Sequence, residues 1–179
     1  MLKQIVYSSQ KEIKTAVTAL LLEAFPEEER PPVPLFFKNL QRKANRLIAF
    51  YDGKVFIGFA YLTFYKDTCY IFFLAVEKEH RNKGYGGQIL EILKKDYQDY
   101  VLLLCYEEVN PQYPNYLERV KREQFYLSHG FKDNNLKTLE YGVAFQSVYY
   151  GNHKINFEDY KEIFKLAFGE GHDQHLQQL

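Results

Sequence analysis

The sequence predicts a mixed α/β fold, with helices flanking a sheet, and three observations carry the prediction. Residues 69–76 (CYIFFLAV) and 100–106 (YVLLLCY) are continuous apolar runs, the pattern of strands buried on both faces. Between them, three glycines (Gly84, Gly86, Gly87) open an amphipathic helix, and strand, turn, helix, strand is a crossover unit whose two strands run parallel. Upstream, RLIAFY (46–51) and KVFIGFAYLTF (54–64) flank Asp52-Gly53, a hairpin signal, so this part of the sheet is antiparallel.

The elements follow in order. Ile13, Ala16, Val17, Leu20, Leu21 and Ala24 recur at helical spacing, with Ser9 and Glu12 reading as a capping box and Pro26 as the stop. An acidic, proline-rich link, PEEERPPVP (26–34), leads to a short helical stretch near Phe36 and Leu40. After the glycines, Ile89, Leu90, Ile92, Leu93 and Tyr97 form one side of a helix ending near Asp99. A further helix over about 115–129 ends at Gly130, a natural C′ residue, with Phe131 as its hydrophobic lock. Alternation between Leu136 and Tyr150 predicts one or two strands. Phe157, Tyr160, Phe164 and Ala167 then mark a last helix, stopped by Gly169. No repeat or linker interrupts the chain, so a single domain is expected over 1–168, followed by a disordered tail over 169–179.

Bulk composition narrows the function. Lys plus Arg and Asp plus Glu both number 23, so the net charge is zero and the long-range field of a nucleic-acid binder is missing; nucleic acid is not an expected partner. The aromatic fraction, 17% and all Tyr and Phe, suits a homodimer surface as readily as a large core. Cys69 and Cys105 lie inside apolar runs and read as buried free thiols. The N-terminus has no apolar leader segment and no run is long enough to span a bilayer, so no membrane association is expected and the location is read as cytoplasmic. His172 and His175 have a possible metal spacing, but a lone pair in a polar tail is weak evidence and no metal is assigned.

The stretch EHRNKGYGGQIL (79–90) carries the chemistry. A loop feeding a helix N-terminus presents unpaired N–H groups at the positive end of the helix dipole, and glycines let a bulky anion approach them. The dinucleotide fingerprint fails because Ile89 stands where its third glycine belongs, and the P-loop fails because Gln88 follows Gly87. Arg81-Asn82-Lys83-Gly84-Tyr85-Gly86 instead resembles the Arg/Gln-x-x-Gly-x-Gly/Ala signature of the GNAT superfamily of N-acetyltransferases. The preceding Phe73-Leu74-Ala75-Val76 and the later Phe125-Tyr126-Leu127-Ser128-His129-Gly130-Phe131 are similar to that family's third-strand and FYxxxGF segments. The resemblance covers about residues 10–150.

By this resemblance the fold is GNAT-like, a mostly antiparallel sheet with one parallel strand pair splayed around the cofactor. The anion is then the pyrophosphate of acetyl-CoA, which serves as co-substrate. Leu74, Ala75 and Val76 would pair with the pantetheine arm, and the turn Arg81, Asn82, Lys83, Gly84, Tyr85, Gly86 and Gly87 would cradle the pyrophosphate. The implied activity is that of an acyltransferase: the acetyl group passes to a primary amine of a small molecule or peptide by direct attack in a ternary complex. Tyr126 matches the family's usual general acid. The position that carries a Glu base in some members is Tyr70 here, so that assignment fails. Alternation along YVLLLCYEE favours Glu108 over Glu107 as the base. Arg119 and Arg122 replace the family's frequent Asn and Ala; they would contact coenzyme A phosphates, bind an acceptor carboxylate, or pair with Glu118 and Glu123. A non-catalytic acyl-CoA-binding module, acting as a sensor or partner, is the alternative reading.

Overall fold

Thr68–Val76 lies in the middle of an eight-stranded sheet, as its apolar sequence requires. A computed structural model describes residues 2–179. The elements are β1 (Lys3–Val6), α1 (Lys11–Ala24), α2 (Val33–Asn39), β2 (Asn45–Asp52), β3 (Val55–Tyr65), β4 (Thr68–Val76), α3 (Tyr85–Asp96), β5 (Val101–Glu107), α4 (Tyr116–Ser128), β6 (Lys132–Glu140), β7 (Val143–Tyr150), α5 (Phe157–Phe168) and β8 (Leu176–Gln178). The strand order is β1-β2-β3-β4-β5-β7-β6-β8; β4 and β5 run parallel, and the other paired strands are antiparallel. The mixed sheet with one parallel pair is the predicted fold class.

Alternation along β5 separates two packing layers. Leu102, Leu104 and Tyr106 share a core with Ile89, Leu90 and Leu93 of α3 and Tyr126 of α4. Val101 and Leu103 face the other way, against Tyr160, Ile163 and Phe164 of α5. On β2–β4, α1 and α2 cover a cluster in which Phe36 packs against Phe59, Tyr61 and Phe73. No helix among the described residues is long and apolar enough to cross a membrane.

Several local expectations shift. The Ser9–Glu12 capping box does not form: Gln10 is the N-cap of α1, without a side-chain cap bond, and Ser9 has a φ of 134°. Asp52 pairs with Val55, so the hairpin turns on Gly53-Lys54, one residue later than expected, with Gly53 at positive φ. Strand β1, too short for its alternation to register, pairs with β2 at the sheet edge. The tail expected to be disordered is ordered instead. Residues 172–175 form a helical turn and β8 adds to the open edge of β6, burying Leu176 beside α5. An unpaired strand edge offers N–H and C=O groups that such a segment can satisfy.

The end of α4 matters most for the site. Gly130, with φ of 83°, follows the C-cap residue His129. The Gly130 N–H donates to the Leu127 carbonyl at 3.0 Å and the Phe131 N–H to the Tyr126 carbonyl at 3.2 Å. This is the paired-bond helix stop, and the hydrophobic contact that accompanies it joins Phe131 to Tyr126, with ring centroids 6.1 Å apart. The Phe-Tyr-x-x-x-Gly-Phe spacing thus holds Tyr126 through its own helix terminus.

Candidate active site

Pairing between β4 and β5 lasts only from Thr68/Val101 to Ile71/Leu104. At Phe72 a bulge interrupts the register of β4 against β3, and bulges bend the strand that carries them. Strand β5 continues on β7, pairing Cys105 to Glu107 with Ser147 to Phe145. The parallel strands therefore diverge, and from Phe72 to Val76 the β5-facing edge of β4 lacks a strand partner. Such an edge accepts an extended segment through its free backbone groups. A cavity of about 1070 Å³ opens there, at the upper limit of ordinary single-ligand pockets and roomy enough for two substrates together.

At one part of this cavity stands the N-terminus of α3. Its N-cap is Gly84, at φ of 82°, and no side chain caps it. The helical ladder begins with Gln88 N–H to Gly84 C=O at 3.1 Å, so the N–H groups of Tyr85, Gly86 and Gly87 lack helical acceptors. The two inner glycines also meet a second demand that the sequence did not reveal. A Cβ on Gly86 would sit 3.1 Å from the Phe125 ring, and one on Gly87 would overlap His129, so glycine lets α3 approach α4 closely.

Leu74, Ala75, Val76, Arg81, Asn82, Gly84, Gly86 and Gly87 line the cavity, together with Tyr126. Lys83 and Tyr85 stand outside its wall: Lys83 is exposed, and the Tyr85 hydroxyl donates to Asp52 at 2.7 Å. The Arg81 side chain is turned away from the cradle. Its Nε donates to the Val76 carbonyl at 2.9 Å and its guanidinium pairs with Glu23 of α1, tying the end of β4 to that helix. Tyr126 is buried and stacks on Tyr106 at 5.7 Å. Burial pushes its phenol above the usual range while the Arg122 charge pulls it back, so it remains protonated at neutral pH.

Glu108 is not part of the cavity wall. Strand β5 ends at Glu107, and the Glu108 carboxylate turns to Lys137 of β6 at 3.0 Å. Glu107 is the buried member of the pair; it lines the cavity and is held by Arg122 of α4. Arg119 does not pair with Glu118 or Glu123 either. It donates to Asn115 Oδ1 at 2.8 Å and to the Glu108 carbonyl at 2.9 Å, and lies over the Tyr113 ring, fastening the start of α4 to the end of β5. Glu123 accepts instead from Tyr106 and Gln146, at 3.1 and 2.8 Å.

A second cluster went unread in the sequence because nothing local marks it. Tyr70 faces α5, where its hydroxyl lies 3.0 Å from that of Tyr160. Tyr160 donates to Glu140 Oε1 at 2.5 Å, and Thr138 donates to the same oxygen at 2.6 Å. Cys105 Sγ is 3.1 Å from the Tyr160 hydroxyl, and burial pushes its thiol well up, so it stays protonated. Tyr70, Cys105 and Glu140 all line the cavity.

Burial raises the Glu140 carboxyl from 4.5 to about 7, against the lowering effect of its two hydroxyl donors. With the folded value above the unfolded one, the folded state keeps a proton that the unfolded state releases. Stability is therefore lost as pH rises from about 4.5 through about 7. Glu140→Gln keeps the acceptor oxygen and removes the charge. It is expected to match the wild type below pH 4.5 and to exceed it by about 2 kcal/mol above pH 7, a figure discounted because the residue is only half-buried. Urea titrations at pH 4.5 and 8 check this.

The GNAT acetyltransferase family model matches residues 14–131. A protein from Bacteroides thetaiotaomicron assigned to the GNAT family superposes with a TM-score of 0.74 at 22% identity, over 94% of this chain and 98% of its own. An aminoglycoside 6'-N-acetyltransferase complexed with coenzyme A gives 0.66 at 16% identity, over 84% and 96%. The ribosomal-protein-S18-alanine N-acetyltransferase of Escherichia coli gives 0.62 at 16% identity, over 87% and 100%. No curated protein matches the chain in sequence. The family match spans more than half of the chain and includes both the diverging strands and the glycine turn: the chain belongs to the GNAT family of acetyltransferases.

Proposed function

We propose that the protein is an N-acetyltransferase that passes the acetyl group of acetyl-CoA to a primary amine by direct attack, with both substrates bound at once. The observation that carries this reading is a single cavity lined by the open edge of β4, the uncapped start of α3 and the Tyr126 phenol. The residues fit the co-substrate. The N–H groups at the start of α3 suit a pyrophosphate, and the unpaired edge of β4 suits an extended pantetheine arm.

Acetyl-CoA supplies an activated acyl group when bound. A backbone N–H on the open β4 edge, near Leu74, faces the negative charge that develops on the thioester oxygen. Tyr126 delivers a proton to the departing sulfur. Cys105 is a poor acyl carrier because its thiol is held protonated, which favours direct attack over a covalent relay. Carboxylates at Glu27, Glu28 and Glu29 and aromatic rings at Phe25, Phe72 and Phe168 line the cavity, a combination suited to a cationic amine. That similar folds act on an aminoglycoside and on a ribosomal protein supports an amine acceptor without selecting between small molecule and peptide.

Calorimetric titration with acetyl-CoA, using ATP and NAD as controls, is followed by thiol-release assays against amines and peptides. Saturable binding of acetyl-CoA alone, with turnover on at least one amine, is expected. Tight binding without turnover on any acceptor would instead make the protein a non-catalytic acyl-CoA module, and absence of binding would remove both readings.

A further inference from the structure

We propose that the acceptor's proton leaves through Tyr70 and Tyr160 to Glu140, so that this chain supplies the base of the reaction from β6 rather than from β4. The inference rests on the acetyltransferase reading above. Its geometry begins at the divergence of the strands. Tyr70 pairs with Leu103, one position before the last β4–β5 pair, so its side chain stands at the foot of the cleft in which the thioester would lie.

The hydrogen bonds have one consistent direction. Tyr160 owns a single hydroxyl proton and gives it to the Glu140 carboxylate at 2.5 Å. Its oxygen therefore accepts from Tyr70 at 3.0 Å, which leaves the lone pairs of Tyr70 for a donor arriving from the cavity. The groups bonded to Glu140 are neutral, Thr138 on its own strand and Tyr160 from α5, and the Tyr160 hydroxyl is in turn met by Cys105 from β5 and Tyr70 from β4. The adjacent Tyr141 engages His172 Nδ1 at 2.5 Å and its ring stacks on His175. No Lys or Arg forms an ion pair with Glu140 among the described residues. A carboxylate without a cation, buried enough to bind a proton near neutrality, is matched to accepting one from an amine. The fully buried carboxylate of the cavity, Glu107, is by contrast already paired with Arg122.

The protons balance. An ammonium acceptor loses two protons on becoming an amide. One passes to Tyr70 as the Tyr70 proton moves to Tyr160 and the Tyr160 proton to Glu140, which later releases it to solvent. The other replaces the proton that Tyr126 gives to the sulfur. The nitrogen–carbon bond forms as the carbon–sulfur bond breaks, and one proton is released per turnover.

The test is kcat/KM against pH for the wild type, Glu140→Gln, Glu140→Asp, Tyr70→Phe and Glu29→Gln. The probe is whichever of spermidine, tyramine and an alanine-terminated peptide the wild type acetylates fastest. The wild type should rise to a plateau with a midpoint near pH 7. Glu140→Gln should lose that limb and about 100-fold of its rate, with Glu140→Asp restoring part of both. Tyr70→Phe should lose a similar factor while its acetyl-CoA affinity, read by calorimetry, stays unchanged. A Glu140→Gln variant that keeps the limb and the rate overturns the inference, as does transfer of the limb's loss to Glu29→Gln. A wild type that binds acetyl-CoA but acetylates none of the probes overturns the parent reading and this one with it.

Discussion

Replacing Tyr126 with Phe should lower kcat by about 100-fold or more while leaving acetyl-CoA affinity unchanged, because positioned acids contribute about 10²–10⁴ to such reactions. The substitution is conservative in every other respect. The ring keeps its stack on Tyr106 and its contact with Phe131, so the helix stop that positions it persists. The hydroxyl alone is removed, at a site where burial keeps it protonated, so the defect should not depend on pH near neutrality. Stopped-flow thiol release, with calorimetry for the donor, separates the two quantities. Unchanged turnover would remove Tyr126 from the mechanism.

Gly86→Glu should abolish measurable acetyl-CoA binding, a loss of at least about 100-fold or 2.7 kcal/mol. The new carboxylate would occupy the uncapped N-terminus of α3 and satisfy the N–H groups proposed to hold the pyrophosphate. That same placement stabilises the helix by about 0.3–1 kcal/mol, offsetting the contact of its Cβ with Phe125, so the fold should survive. Gly86→Ala isolates the packing effect, since it brings the same Cβ against Phe125 without the charge. Affinity should fall much less in the Ala variant. Equal losses in both would mean that α3–α4 packing, and not an anion site, explains the glycine.

What could be read from the sequence was local or repetitive. The crossover unit and its glycine turn lie within about 40 consecutive residues, and their hydrophobic periods announce parallel strands whatever surrounds them. Gly130 and Phe131 were legible for the same reason, because a helix stop is written in adjacent residues. The base was not. Residues 70, 140 and 160 meet only because β7 lies between β5 and β6 and α5 folds back across the sheet, and no spacing rule carries that information. The alternation that favours Glu108 holds along β5, but the strand ends one residue earlier, at Glu107. There the chain turns, and the carboxylate follows it to Lys137. The polar composition of the tail predicts disorder, whereas the free edge of β6 supplies a partner that composition does not show.

The order of the walls along the chain has a consequence for how such a protein can change. The open edge of β4, the glycine turn and Tyr126 all fall within the region shared with the family, which closes at residue 131. Glu140, Tyr141, Phe145, Phe164, Phe168 and His172 face the same cavity from beyond that limit. On the proposed function the donor is held wholly within the shared region, whereas the acceptor meets walls from both stretches, with Glu27, Glu28 and Glu29 before residue 131 and Phe164 and Phe168 after it. Substitutions beyond residue 131 that spare Glu140 and Tyr160 would therefore reshape one side of the acceptor wall while the glycine turn and Tyr126 stay in place.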